Sequence, residues 1–153
     1  MLLYIAIILG CVVIDQLVKF IVVQQVGLHE TVFANPVLSI THIHNEGGAW
    51  SIFEGEMWFF ILISIIALVA FSYVLYKNRF KNKWLTVGLS LIIGGTIGNF
   101  IDRFIQGYVV DMFQTEFVNF PIFNMADIFL FSGVVCVFIY ILFFDDTEKN
   151  DLV

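Results

Sequence analysis

The sequence predicts a membrane all-α protein: a four-transmembrane-helix bundle carrying a small extracytoplasmic β-sheet on the outer leaflet. Of its 153 residues, 60% are hydrophobic and only 13% charged, and the mean hydropathy is +0.95, outside the range of water-soluble domains. Four apolar segments approach the ~20 residues a helix needs to cross the hydrocarbon core. Short runs of strand-forming residues interrupt two of the three connections.

In chain order the spans are Leu2 to Val23, Trp58 to Tyr76, Trp84 to Ile101 and Ile128 to Phe144. Residues 1–153 thus read as a single integral membrane domain with outer loops at 24–57 and 102–127 and an inner loop at 77–83. The opening MLLYIAIILG has no basic n-region and no small-residue cleavage site after it, so it reads as a retained span. The first span carries Asp15, Gln16 and Lys19, whereas the other three contain no charge. Lys77, Arg79, Lys81 and Lys83 crowd the short second loop, while 24–57 holds no Lys or Arg. The positive-inside rule makes that second loop cytoplasmic, together with both termini, and puts the longer loops outside.

Within the outer loops, Val37 to Ile43 alternates apolar and polar residues with the period of a half-buried strand. Gly107 to Phe113 and Phe117 to Phe123 are also rich in strand formers. Gly47 to Glu54 reads as a short interfacial turn or helix with Trp50 and Phe53 toward lipid.

Several function classes drop out. A net charge of −6 with seven Lys and Arg offers no basic face for nucleic acid. Cys11 and Cys136 lie in apolar stretches without metal-ligand or disulfide spacing and read as small buried residues. His42 and His44 share a strand face but lack a third metal ligand, so they read as solvated strand histidines and no metal site is expected. Ser64, Ser72, Ser90 and Ser132 have no histidine nearby in sequence, and no Gly-rich phosphate loop joins a strand to a helix.

What remains is a set of ionisable and amide side chains at the outer side. A charge in a bilayer costs ~2.5–3.5 kcal/mol at a helix centre, so each requires a reason. Asp15 and Lys19, four apart on one helix face, either lock the bundle as an ion pair or belong to a site. Asn99, Asp102 and Arg103 share a face of the third helix, where Arg103 either snorkels to headgroups or faces a ligand. Gly94 and Gly98 form a G-x-x-x-G that predicts close helix packing. Asp111 ends an apolar strand-like run. Asp127 follows Asn124 by three residues at the start of the fourth helix, where an N-cap and a first-turn carboxylate are at home. If Asp111 and Asp127 meet, one keeps a proton and an acid/base pair results.

Taken in order, DQLVK at 15–19, NEGGAW at 45–50, GNFIDR at 98–103, VVDMF at 109–113 and FNMAD at 123–127 resemble the bacterial lipoprotein signal peptidase (signal peptidase II) family over nearly the whole chain. The resemblance implies that Asp111 and Asp127 are a catalytic aspartate dyad, a choice that spacing left open. It also implies that Asp15, Lys19, Asn45, Gly48, Asn99, Asp102, Arg103 and Asn124 support or line the site, with Arg103 and Asn99 foremost in contacting substrate. One extra Gly departs from the family's N-x-G-A pattern after Asn45. The implied function is an aspartic endopeptidase of the bacterial cytoplasmic membrane, acting near the outer leaflet. It would remove the signal peptide from diacylglyceryl-modified prolipoproteins by cutting just before the lipidated cysteine of a lipobox. Its partners would be those precursors and membrane lipid, not nucleic acid; it would act as a monomer and need no cofactor.

Two rival readings remain. Buried charges also mark ion pathways, so a small proton- or ion-coupled transporter is the alternative, although the acidic groups do not continue toward the cytoplasm. The other is an assembly protein in which the polar motifs are helix-packing glue.

Overall fold

The computed structural model describes residues 2–48, 52–79 and 82–144. Four helices run through the apolar segments: α1 (Leu2–Gln25), α2 (Met57–Asn78), α3 (Lys83–Gln106) and α4 (Met125–Phe143). All four are long and apolar enough to cross a membrane. Three antiparallel strands form one sheet in the order β1 (Thr31–Val32), β2 (Leu38–Asn45), β3 (Val109–Thr115).

The helix α3 is the buried centre of the bundle, flanked by the other three. Its glycines explain how neighbours approach so closely. A Cβ on Gly94 would fall 2.6 Å from the Cβ of Cys11 on α1, and one on Gly98 would fall 2.5 Å from Oδ2 of Asp15. The G-x-x-x-G therefore seats α1, as the packing reading expects. On the opposite side, a Cβ on Gly88 would meet the carbonyl of Gly133 on α4 at 2.8 Å.

The third helix continues beyond the predicted span end at Ile101 as far as Gln106, so that Asp102 and Arg103 share a helix with Asn99 as their spacing suggested. Charge alone ends a predicted span, but here Asp102 is only 4% exposed and fully partnered by other elements. The helix stops at Gly107, whose φ of 79° is the left-handed cap that glycine adopts without a Cβ penalty. Two residues later β3 begins, which fixes Asp111 above the end of α3.

The sheet stands at the end of the bundle where α1 and α3 finish and α2 and α4 start. It is fastened there by an apolar cluster of Val22 and Val26 from α1 with Val110 and Met112 from β3, with Ile40 and Tyr108 packed on it. The sheet differs from the sequence reading in its third member. Phe117 to Phe123 makes only an isolated bridge, Phe113 to Phe123. Pro121 lacks the N–H that a ladder requires, and the third strand is Thr31–Val32, paired with Thr41 and Ile40.

Nor does β2 bury its apolar face alone. Ser39, Thr41 and His42 are buried, satisfied by Thr31, Gln114 and Glu116 across the sheet and, for Nδ1 of His42, by the Val26 carbonyl at 2.8 Å. The expectation of solvated histidines fails for His42, because a register irregularity between Ile40 and Ile43 turns it inward. Of the predicted interfacial segment, Ile52–Gly55 forms turns with Phe53 exposed, and Trp50 lies outside the described residues.

Candidate active site

Five elements converge at the sheet end: α1 brings Asp15 and Lys19, β2 brings Asn45, α3 brings Asn99, Asp102 and Arg103, and β3 and α4 bring Asp111 and Asp127. These residues form two hydrogen-bonded groups joined at Asn99.

The first group is a buried ion cluster. The ammonium of Lys19 lies 2.9 Å from Asp15 and 2.8 Å from Asp102, and donates to Oδ1 of Asn99 at 3.1 Å. All three of its protons are thus engaged. Asp15 also accepts the backbone N–H of Ala126 at 2.9 Å, so α1 holds the first turn of α4. Asp102 accepts the N–H of Val110 at 3.2 Å, which ties β3 to α3. Gln16 donates to Asp102 at 2.9 Å and to Asp15 at 3.2 Å. The sequence reading named Gln16 as a polar residue of the first span but assigned it no place in the site. Its presence in an apolar span was the available signal.

The second group surrounds the aspartate pair, and the orientation of its amides follows from donors that cannot be reversed. The N–H of Asp127 donates to Oδ1 of Asn124 at 3.1 Å, so the Asn124 NH₂ faces away from the helix. It donates to Asp111 at 2.6 Å and to Oδ1 of Asn99 at 3.0 Å. With its oxygen taken by Asn124 and Lys19, Asn99 must turn its own NH₂ to Asp127, at 2.8 Å. Similarly, the N–H of Gly47 fixes Oδ1 of Asn45 at 2.9 Å, leaving the Asn45 NH₂ to donate to Asp111 at 2.8 Å. Asn124 and Asp127 also complete a capping box, with the Asn124 N–H on Oδ2 of Asp127 at 3.1 Å. The N-cap reading of this pair and its place in the site are therefore one arrangement.

The two carboxylates are not equivalent. Asp111 is 2% exposed and its carboxyl is pushed from the ordinary 3.8 up to about 7. Burial is the largest cause and the nearby Asp127 charge the next, while hydrogen bonds from Asn45 and Asn124 and the charge of Lys19 pull the other way. Asp127 stands in the first turn of α4, where the helix N-terminus favours negative charge. Of the two, Asp111 is the one whose surroundings favour holding a proton.

Both aspartates open onto a cleft of about 200 Å³ lined also by Asn45, Gly48, Asn99, Arg103 and Asn124, with Phe120 to Phe123 as its far wall. The Arg103 guanidinium lies over the Phe60 ring at 4.9 Å and points NH2 at the Gly47 carbonyl at 3.5 Å. Its buried Nε has no hydrogen-bond partner among the described residues. Arg103 therefore turns inward rather than snorkelling. The Phe60 platform and the aromatic wall went unnoticed in the sequence, where phenylalanine is too common in the spans to stand out. Asp15, Lys19 and Asp102 lie behind the cleft, reaching it through Asn99. Among the described residues no cluster of His, Cys, Asp or Glu fits a metal ion.

Two carboxyl groups, one of them raised by burial, facing one cleft at the end of a four-helix membrane bundle point to a class: multi-pass membrane proteins carrying the groups that acid–base chemistry uses. Comparison with known proteins narrows it. The family described as Signal peptidase (SPase) II matches residues 7–143. The chain is 51% identical to the lipoprotein signal peptidase of Lactiplantibacillus plantarum, over 95% of this chain and 98% of that protein. It is 50% identical to that of Enterococcus faecalis, over 90% and 86%. Two solved structures of bacterial membrane enzymes superpose at TM-scores of 0.85 and 0.83, with 38% and 39% identity, covering 95% and 93% of this chain and 90% and 93% of theirs. The chain belongs to the signal peptidase II family, and so is a multi-pass membrane peptidase; the transporter reading is not favoured.

Proposed function

We propose that the protein removes the signal peptide from diacylglyceryl-modified prolipoproteins, cleaving just before the lipidated cysteine of the lipobox, with Asp111 and Asp127 as its catalytic dyad. The observation that carries this reading is the unequal pair in one cleft, Asp111 raised to about 7 beside an Asp127 held at a helix N-terminus.

In this scheme Asp127 takes a proton from a water molecule as its oxygen attacks the scissile carbonyl. Asp111 donates its proton in a hydrogen bond to the carbonyl oxygen as charge develops there. The tetrahedral intermediate collapses with transfer of the proton held by Asp127 to the leaving nitrogen. The signal peptide leaves with a carboxyl terminus, the cysteine gains a free amine, and the dyad returns to one proton. Carboxylates and water supply every group the scheme uses.

Arg103 and the remaining N–H of Asn99 face the cleft and are placed to hold substrate carbonyls. The basic residues of the α2–α3 connection support a cytoplasmic position for that turn and for both termini. The cleft would then lie at the outer leaflet of the cytoplasmic membrane, where water reaches the peptide while its lipid stays dissolved. The whole chain acts as one integral membrane domain and as a monomer.

The test is cleavage by the purified protein in detergent of a diacylglyceryl-modified lipobox precursor beside its unmodified counterpart, with products read by mass spectrometry. Cleavage of the modified precursor alone, at the bond preceding the cysteine, is expected. Cleavage elsewhere, or of both precursors equally, would remove the reading. A pH profile makes a second prediction. The scheme needs Asp111 protonated, so kcat should fall as pH rises above about 7. Asn45→Ala removes a hydrogen bond that favours the Asp111 anion, so its alkaline limb should move to higher pH although its kcat is lower.

A further inference from the structure

A second groove, of about 340 Å³, opens beside the cleft and is lined by Phe120, Phe123, Asp127, Ile128 and Phe131. Three of these, Phe120, Phe123 and Asp127, also line the cleft, so the two spaces adjoin at the Asp127 carboxylate. Apart from that carboxylate its walls are apolar, and they face out of the bundle: Phe131 is 71% exposed and Phe120 52%. Asp127 and Phe131 are four apart on one face of α4. Phe131 thus lies about 6 Å further along the helix axis, away from the sheet end. The groove starts at the dyad and descends along the membrane-spanning helix.

We propose that this groove seats the acyl chains of the substrate's modified cysteine, with Ile128 and Phe131 setting how bulky a chain fits beside the dyad. This assignment rests on the prolipoprotein reading above. The chemistry requires some such exit. In a cysteine that follows the scissile bond, only the nitrogen, Cα and Cβ separate the attacked carbonyl from the sulfur that bears the glyceryl group. The acyl chains therefore begin within a few bonds of the dyad. The cleft itself presents Asn45, Asn99, Asn124 and two carboxylates, which hydrocarbon would desolvate without replacing their partners. The apolar groove lets the chains leave sideways, in the direction that lipid chains run.

The groove acts through shape. Hydrocarbon gains nothing by moving from lipid onto a phenylalanine wall, because lipid tails are as apolar as the wall. Enlarging the groove should matter little, whereas filling it should exclude long chains. Two lipobox peptides make the comparison, one carrying dipalmitoylglyceryl and one diacetylglyceryl on the cysteine. The readout is the ratio of their kcat/KM values, which cancels any general loss of folding or dyad geometry.

Ile128→Trp is expected to lower the long-to-short ratio about tenfold, the scale of overpacking a fitted site. Phe131→Trp, deeper in the groove, should lower it less. Phe138→Trp, exposed on the same helix beyond the groove, should leave the ratio as in wild type. If Ile128→Trp and Phe131→Trp leave the ratio unchanged, or shift it no more than Phe138→Trp does, the chains run elsewhere and the assignment is wrong while the prolipoprotein reading stands. If wild type cleaves neither peptide, that reading fails and takes the groove with it.

Discussion

Asp111→Asn and Asp127→Asn should each lose about a thousandfold or more in kcat, within the range by which acid–base groups accelerate proton transfer when they act with other groups. The two substitutions are not symmetric in their other effects. Wild-type Asp111 keeps its proton in the folded protein up to about pH 7, against 3.8 as its ordinary value. Between those limits the folded state binds more protons than the unfolded state, so this group's contribution makes stability fall as pH rises through the window. Asparagine resembles the protonated acid and carries no such slope. Comparing thermal midpoints in detergent at pH 5 and pH 8, Asp111→Asn should lose less stability than wild type over that interval. The difference between the two pH values isolates this group from the hydrogen bond an Asn NH₂ would forfeit to the donors Asn45 and Asn124. An inactive variant with a flatter stability profile supports a buried protonated acid. An inactive variant with the wild-type profile would place the shared proton elsewhere.

The sequence carried the spans because a bilayer imposes a length and a polarity that composition reports directly. It carried the G-x-x-x-G for the same reason, since close approach needs small residues at one spacing. The full length of α3 was not legible: Asn99, Asp102 and Arg103 could be put on one helix face, but the apolar span was ended at Ile101, because charged residues close a predicted span until their partners are known. Those partners, Lys19 and Gln16 on α1 and Val110 on β3, are distant in the chain. The third strand was missed because a two-residue pairing has no period to detect, and a Phe-rich segment broken by proline imitates one.

In the site, the residue types were legible as unexplained polarity in an apolar chain, but the pairing of Asp111 with Asp127 came only from the resemblance. The amide wiring could not be read at all. Which way Asn99 faces is decided by Lys19, 80 positions earlier, and by Asn124, 25 positions later, and the orientation of Asn124 is decided by a backbone N–H that exists only once α4 has started. Sequence names such groups but not their direction, and direction is what makes Asn45, Asn99 and Asn124 donors to the dyad.

Lys19→Met should cost the largest share of stability among single substitutions in this network, about 3–5 kcal/mol, because it leaves two buried carboxylates without their cation. The expected sign does not depend on whether the ion cluster is itself a net gain over an apolar core. Removing one partner is costly even where replacing all of them would be neutral. Lys19→Met/Asp102→Asn, which removes one of the stranded charges, should therefore be more stable than Lys19→Met alone, a non-additivity read directly from thermal midpoints in detergent. Catalysis adds a separate expectation. Asn99 keeps Asn124 as a donor to its oxygen when Lys19 is gone, so its NH₂ still faces Asp127 and the dyad is still wired. The double variant should then recover turnover along with stability. Recovery of stability without turnover would mean that the ammonium acts on the dyad by its charge, in keeping with the pull it exerts on Asp111, and would make Lys19 a positioning residue of the reaction rather than a fastening between α1 and α3.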